Sequence, residues 1–480
     1  MDSRASYNPF PRMLPSVMLV TACMFAAYFV MVRPGYFSTS KHLGVLIVLQ
    51  GLLVAVWNYR RAFLLAVMSV FFWAGMDLPL GGEWTSGRWL VLAIGALAGI
   101  VVYTKDRQYQ FAFFDGVAVV CIFSALASIY WSAYPGLVFL KAVSLLLLFL
   151  YAGFGARAAV RGREAQFFPG FLLACELLVY GTAAAYFILR TEIFGNPNSL
   201  GAVMGVVAVP AMLWGVLVSD RLLLRRRRTF ALGLSLLLLF SSYARAGIVA
   251  AGVACMLLCV GLGQYRLLAK VVAASLALAS LAAALLPLSS GPAESLTSAF
   301  LYKGHREEGI LGSRKSVWDQ TLSVIGEHPW FGSGFGTSVV TFEDPAEPGG
   351  EFKSAAETTR EHGNSYLAIV EGTGILGALP FLMLVMLTVV NIMRVTVWMR
   401  RSRDPCFPSV LLAAVLAAGL ANAAFEDWLF APGYYLCVLF WVFAFMLINF
   451  VPATMPPEAP QPHAARQTWP ASPGIAAPAP

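Results

Sequence analysis

Three arginines occupy positions at which a charged ligand could be held. Arg190 and Arg245 border two long apolar runs, and Arg314 lies in a polar segment between two others. A guanidinium group presents a rigid fork of donors that matches phosphate oxygens, so these arginines predict a site for an anion such as a diphosphate. The alternative for each single arginine is that its side chain extends from the apolar phase to water without binding a ligand.

His362 is the candidate general base, because neutral imidazole accepts protons near physiological pH. Asn364 and Glu371 follow it at the start of an apolar run. His362 and Glu371 are nine residues apart, which places them on opposite faces of a continuous helix. Glu371 can therefore orient His362 only if the helix begins after residue 362. Otherwise Glu371 pairs with another span.

His362 and Glu371 are the catalytic candidates, and no metal site is predicted. The candidate substrate-binding side chains are Arg190, Arg245, Arg314, Asn196, Asn198, Asn364 and Trp318. Helix N-termini expected near residues 199 and 246 add partial positive charge, which favours an anion.

The elements that must position these residues are membrane-spanning helices. The chain has 480 residues, of which 59% are hydrophobic and 12% charged, whereas about 25% are charged in soluble proteins. This composition excludes a soluble enzyme, a disordered chain, a disulfide-rich secreted domain and a nucleic-acid-binding protein. We expect an all-α polytopic membrane protein with about 12–14 transmembrane helices and one large external loop that contains short helices.

The apolar runs give the expected spans. They are residues 13–31, 42–57, 62–80, 88–103, 111–131, 136–156, 167–189, 199–219, 229–243, 246–263, 267–289, 366–393, 408–424 and 431–451. A helix needs roughly 17–25 residues to cross the hydrocarbon core, and the length of each run is judged against that range. The second and fourth spans are short, so the count carries an uncertainty of about two.

Basic residues set the expected orientation. An N-terminus in the cytoplasm places most arginines and lysines of the short loops, such as those at 225–228 and 400–403, on the cytoplasmic side. The formal net charge of +8 then requires no polyanionic partner. The predicted divisions are 1–12 for the cytoplasmic N-terminus, 13–289 for the first eleven helices, 290–361 for the external loop, 362–451 for the last three helices and 452–480 for a disordered Pro- and Ala-rich cytoplasmic tail.

Two features are predicted within the external loop. Trp318, Leu322 and Ile325 recur at helical spacing and predict an amphipathic helix over residues 316–326 at the membrane surface. The glycine-rich segment 332–336 is explained by turn geometry more often than by a phosphate cradle.

Two charged side chains lie within predicted spans, where burial in lipid is costly. Glu176 falls near mid-bilayer and must be neutral or paired. Lys141 lies near the outer face, from which it either reaches the arginine and histidine site or extends to water.

Several motifs between residues 118 and 440 occur in a characteristic order. They are Ser128-Ile129-Tyr130-Trp131-Ser132, Phe194-Gly195-Asn196-Pro197-Asn198-Ser199-Leu200-Gly201, Ser242-Tyr243-Ala244-Arg245, Ser313-Arg314 with Trp318, His328-Pro329-Trp330-Phe331-Gly332-Ser333-Gly334-Phe335-Gly336, and His362-Gly363-Asn364-Ser365-Tyr366-Leu367 with Glu371-Gly372. In these motifs, and in the large loop before the histidine motif, the chain resembles the O-antigen ligase and polysaccharide polymerase superfamily of the bacterial inner membrane.

The resemblance implies a metal-independent glycosyltransferase without a cofactor, whose large periplasmic loop is residues 290–361. The implied donor is a glycan on undecaprenyl pyrophosphate, transferred at the periplasmic face with inversion. By matching position, Arg245 and Arg314 bind pyrophosphate, Arg190 is a looser match, and His362 deprotonates or orients the acceptor hydroxyl. The sequence departs from the family pattern at one place, because Gly363 stands where many members have Asn directly after the His.

The acceptor remains open between a lipid A core, a growing exopolysaccharide or O-antigen chain, and a protein. A chain-length regulator is a candidate partner. The alternative functions are a transporter or lipid-linked-glycan flippase and a structural scaffold. A transporter would distribute ionisable groups along a central cavity, whereas this sequence concentrates them at one face and in one loop, which favours an enzyme.

Overall fold

Helices account for the regular structure of the described part of the chain. A computed structural model describes residues 111–191, 193–285, 312–338 and 361–452, together with parts of a helix between residues 92 and 103. Within these ranges no strand is present. Five helices in them are long and apolar enough to cross a membrane, so the prediction of an all-α polytopic membrane protein is confirmed.

The helices are numbered here in chain order from residue 113. They are α1 Phe113–Trp131, α2 Pro135–Val160, α3 Glu164–Leu189, α4 Pro197–Leu217, α5 Leu222–Ser241, α6 Arg245–Gly261, α7 Tyr265–Leu285, α8 Gly312–Glu327, α9 Ser365–Ser402, α10 Pro408–Ala423 and α11 Tyr435–Phe450. Helix α1 ends in a 3-10 turn, and α2, α3 and α4 each contain a wider π-helical turn.

Every predicted span from 111–131 onward is a helix in the structure. The ends shift by a few residues in most cases, and the largest extension is that of α9, which continues to Ser402. The predicted spans 13–31, 42–57 and 62–80 lie outside the described residues, as does most of 88–103. The N-terminus 1–12, nearly all of the tail 452–480 and much of the loop 290–361 lie outside them too.

Helix α4 lies at the centre of the bundle and is almost wholly buried. Its Gly201 and Gly205 lie so close to α6 that an added Cβ would collide, at Gly201 with Ala244 just before α6 and at Gly205 with the backbone of Gly247; a Cβ at Gly247 would collide with the backbone of Gly201. Small residues of this kind allow membrane helices to approach each other backbone to backbone. Large apolar side chains such as Leu177 of α3 and Met386 of α9 are exposed, which suits a lipid-facing periphery.

Helix α9 is interrupted at Gly374, which has φ 70° and ψ 175°. The segment 329–334 docks into this interruption. The amide of Ser333 donates to the carbonyl of Glu371 at 2.9 Å, and the amide of Ile375 donates to the carbonyl of Pro329 at 2.8 Å. A Cβ at Gly374 would collide with the backbone of Trp330, and the positive φ would strain any other residue, so glycine is required here.

The glycine-rich segment 332–336 forms a turn, as turn geometry predicted. The amides of Ser333 and Gly334 donate to carbonyls of α9 rather than to an open cradle. These donors are used within the protein, so the phosphate-cradle alternative has no support in this segment.

Helix α8, Gly312–Glu327, includes the helix predicted over 316–326. Thr321 and Val324 are buried, with 0% and 3% exposure, while Leu322 is 53% exposed. Trp318 and Ile325 are half-buried. Helix α8 packs against α9. The placement of its apolar residues at the membrane surface stays a prediction.

Glu176 of α3 is paired, as its position predicted. Its carboxylate oxygens lie 2.8 Å from Nε of Arg227 and 3.3 Å from Nε of Arg228. Glu176 and Arg228 are both buried, and Arg228 also donates to the Gly215 carbonyl and the Ser219 hydroxyl. A buried charge is tolerated when it is paired and hydrogen-bonded in this way.

A second buried ion pair joins α1, α2 and α11. Arg157 donates to Asp115 at 2.9 Å, and the side-chain oxygen of Asn449 accepts two hydrogen bonds from the same guanidinium group. The Asp115–Arg157 pair lies at the ends of α1 and α2 that are opposite to His362.

We expect Arg228→Ala to lower the free energy of unfolding by about 3–5 kcal/mol, because it leaves the Glu176 carboxylate buried with less compensation. The measurement is thermal unfolding of the purified protein in detergent. Arg226→Ala, an exposed arginine of the same run, is the matched control and should leave the melting temperature unchanged. Adding Glu176→Gln to Arg228→Ala should recover part of the loss. Equal melting temperatures for Arg226→Ala and Arg228→Ala would contradict this account of the pair.

Candidate active site

His362 lies just before α9 rather than within it. The helix begins at Ser365, and the side chain of Asn364 caps it by accepting hydrogen bonds from the amides of Tyr366 and Leu367 at 2.8 and 3.1 Å. Asparagine is a preferred residue at this position because its oxygen satisfies amides that lack helical partners. The helix thus begins after residue 362, which is the condition under which Glu371 can orient His362.

The imidazole of His362 is held between two carboxylates. Its Nε2 lies 3.3 Å from Oε1 of Glu371, and its Nδ1 lies 3.1 Å from Oδ2 of Asp427. The backbone amide of His362 donates to the same Asp427 oxygen at 2.8 Å. His362 is 7% exposed and Glu371 1%, so both are buried, whereas Asp427 is half-buried.

Asp427 and Ser338 belong to this site, although they were absent from the predicted set. Asp427 follows α10. In the sequence it is only a charged residue expected on the same side of the membrane as His362. Ser338 shares a hydrogen bond of 3.2 Å with Nε2 of His362. No sequence signal marks Ser338, because only the folded path of the loop brings it to the histidine.

The surroundings of His362 favour its protonated form. Burial lowers the pKa of His362, but the hydrogen bonds to Asp427 and Glu371 and the charges of both carboxylates together raise it more, to about 8 from an ordinary 6.5. Burial raises the pKa of Asp427, but its hydrogen bonds with His362 and the histidine charge lower it below its ordinary value. Asp427 is therefore an acceptor, and Nδ1 of His362 carries the proton between them.

Arg314 of α8 reaches the same site. Its guanidinium group pairs with Glu426, the residue before Asp427. The indole of Trp318, one turn further along α8, donates to the Gly363 carbonyl at 3.2 Å. Both side chains therefore hold α8 against the segment that carries the histidine.

Gly363 has a left-handed backbone, which strains residues that carry a Cβ. It has φ +63°, and a Cβ on it would lie 2.8 Å from Nη1 of Arg314. The glycine that departs from the family pattern thus lets the guanidinium group lie directly against the backbone beside His362.

Arg245 begins α6 and is half-buried. Tyr243 before it adopts a left-handed backbone with φ 53°, an uncommon state for a residue with a side chain. The charge of Arg245 acts on that of Arg314, so the two arginines lie within electrostatic range of each other. The structure places Arg314, His362 and Glu371 close together, with Arg245 within electrostatic range of Arg314.

Arg190 and Asn196 lie in the turn between α3 and α4, Asn198 lies in the first turn of α4, and no described contact joins them to His362. Arg190 is exposed, with φ 53°, and its backbone amide donates to the Ala185 carbonyl at the end of α3. The side chain of Asn196 caps α4 by accepting from the Asn198 amide at 2.8 Å. The close crossing of α4 and α6 places this turn beside the turn that carries Arg245.

Lys141 of α2 reaches the site rather than extending to water. Its ammonium group donates to the carbonyl of Gly336, and its charge acts on Asp427. This resolves the two alternatives for Lys141 and ties the loop before Ser338 to α2.

One family of known proteins matches this part of the chain. Residues 230–382 match the family model described as O-antigen ligase. The match confirms the resemblance to the O-antigen ligase and polysaccharide polymerase superfamily. No curated protein matches the chain. The matched segment 230–382 runs from α5 into the second half of α9, and the match supports a ligase-type or polymerase-type function in general.

The matched segment contains only part of the site. Arg245, Arg314, Ser338, His362 and Glu371 lie within it. The charged residues that complete the surroundings of the histidine come from outside it; these are Lys141, Glu426 and Asp427. Together they provide a base, carboxylates that orient it and cations that can hold an anion.

We expect the free energy of unfolding to depend on pH through His362. The pKa of His362 is about 8 in the folded protein and 6.5 ordinarily, so protonated His362 stabilises the fold. This stabilisation is complete below pH 6.5 and is lost as the pH rises through about 8. The loss amounts to about 2 kcal/mol. Melting temperatures in detergent across this window measure it, and His362→Gln should show a flatter profile. A wild-type profile no steeper than that of His362→Gln would contradict the assignment.

Proposed function

We propose that this protein transfers a glycan from undecaprenyl pyrophosphate to an acceptor hydroxyl. The observation that carries the proposal is the packing of Arg314 against Gly363, directly beside the base candidate His362. A group that grips a diphosphate and a group that accepts a proton are thereby adjacent. Glycosyl transfer from a lipid diphosphate needs both at one place.

Arg245 and Arg314 would hold the diphosphate. Like charges in mutual range raise the free energy of the empty site, and an anion between them removes that cost. Arg314 is paired with Glu426, so the donor would share or replace this carboxylate. The N-termini of α4 and α6 lie at the same end and add partial positive charge.

His362 would take the proton of the acceptor hydroxyl on Nε2 while Asp427 holds Nδ1. The acceptor oxygen attacks the anomeric carbon from the side opposite the diphosphate, and the bond to the diphosphate breaks with its electron pair. This gives inversion at the anomeric carbon. The arginines balance the charge of the leaving group, so no separate acid is needed. Glu371 stabilises the imidazolium that forms.

The distribution of charge supports a site on the periplasmic face of a bacterial inner membrane. The ends of the helices opposite to His362 carry the arginines at 225–228 and at 400, 401 and 403. Such residues collect on the cytoplasmic side of membrane proteins. The acceptor is then a lipid A core or a growing polysaccharide chain, and comparison of surface polysaccharides with and without the gene distinguishes them.

We expect His362→Ala to abolish transfer, with a loss of about 10²–10⁴-fold, while donor binding persists. The assay uses purified protein, a lipid-linked oligosaccharide and an acceptor glycan. In the wild type, kcat/KM should rise as His362 loses its proton and level above pH 8 or so, in line with its raised pKa of about 8. Undiminished transfer by His362→Ala would overturn the proposed function.

Arg245→Ala and Arg314→Ala should each weaken donor binding by about tenfold or more, because each removes a charge-assisted contact with the diphosphate. Titration with the lipid-linked oligosaccharide measures the binding. Arg400→Ala, an exposed arginine at the other end of the bundle, is the control and should bind as the wild type does. Equal affinity for all three variants would remove the arginines from the donor site.

A further inference from the structure

Ser338 places a hydroxyl where the proposed reaction requires an acceptor hydroxyl. Its Oγ lies 3.2 Å from Nε2 of His362. Asp427 occupies Nδ1, and Nε2 is shared between Ser338 and Oε1 of Glu371, which lies 3.3 Å away, so Nε2 is the nitrogen that we assign to the reactants. A base must lie within hydrogen-bond reach of the proton that it removes. The acceptor oxygen must therefore occupy much the same place as the Ser338 hydroxyl.

The loop holds this hydroxyl firmly. Lys141 donates to the Gly336 carbonyl, the Thr337 hydroxyl donates to the Gly334 carbonyl at 3.0 Å, and the Phe335 amide donates to Ser128 at 2.9 Å. These contacts fix the three residues before Ser338, which is itself 2% exposed. The serine is thus a built part of the site rather than a surface side chain that reaches the histidine by chance.

We infer that Ser338 occupies the acceptor position until an acceptor hydroxyl displaces it, and that it keeps water from this position. The inference rests on the proposed function. With the position empty, a water molecule could attack the anomeric carbon and pass its proton to Nε2 of His362. The bond to the diphosphate would break with its electron pair, and the products would be a free glycan and the lipid diphosphate. Ser338 makes the enzyme selective for the acceptor over water.

The test measures how donor cleavage divides between transfer and hydrolysis. Ser338→Ala removes the hydroxyl and leaves room for water, so hydrolysis of a lipid-linked oligosaccharide without acceptor should rise about tenfold or more through base assistance by His362. The KM for the donor should not change. Ser338→Cys refills the space and should return hydrolysis toward the wild-type rate.

Ser235→Ala is the matched control, because Ser235 is a buried serine of α5 whose hydroxyl donates to the Leu232 carbonyl, away from His362. It should keep the wild-type ratio of hydrolysis to transfer. Melting temperatures of all variants show that they are folded.

Two results would overturn the inference alone. One is an unchanged ratio in folded Ser338→Ala. The other is that Ser338→Ala loses both transfer and hydrolysis while mass spectra of the wild-type protein show a glycan attached to Ser338. That result would make the serine a nucleophile. Transfer by His362→Ala would instead overturn the proposed function and this inference together.

Discussion

The imidazole of His362 is buried between the carboxylates of Asp427 and Glu371, and each carboxylate comes from a different part of the chain. Its position depends on three elements at once. Asn364 must begin α9 after the histidine, the interruption of α9 must hold Glu371 in place, and the segment after α10 must bring in Asp427. Removal of any one leaves a buried charge without its partner, which is the costly outcome in a medium of low dielectric constant.

Buried charged side chains are paired differently at the two ends of the bundle. At the end opposite His362, the Asp115–Arg157 pair has its hydrogen bonds completed by Asn449, an arrangement that suits packing. At the His362 end, partners are shared. Asp427 accepts hydrogen bonds from both the side chain and the backbone of the histidine, and its charge also interacts with that of Lys141. Shared partners can be redistributed when a ligand or a proton arrives, and perturbed ionisable groups of this kind concentrate at functional sites.

Much of this arrangement could be predicted from the sequence, because apolar runs define helices and helix ends define where polar residues meet. The spans from 111–131 onward and the grouping of Arg245, Arg314 and His362 follow from that reasoning. Asp427 and Ser338 could not be assigned, since they reach the histidine from positions 65 and 24 residues away. The inward face of α8, formed by Thr321 and Val324, could not be assigned either, because contact with α9 decides it.

The interruption of α9 at Gly374 makes the loop part of the helix that carries Glu371. The ladder of helical hydrogen bonds is broken at this glycine, and the segment 329–334 bridges the gap. Amides of the segment donate to carbonyls before the joint, and its carbonyls accept from amides after the joint, so it is bonded to both halves of α9. The depth at which Glu371 lies in the bundle is thereby set by the loop as well as by the membrane-spanning helix.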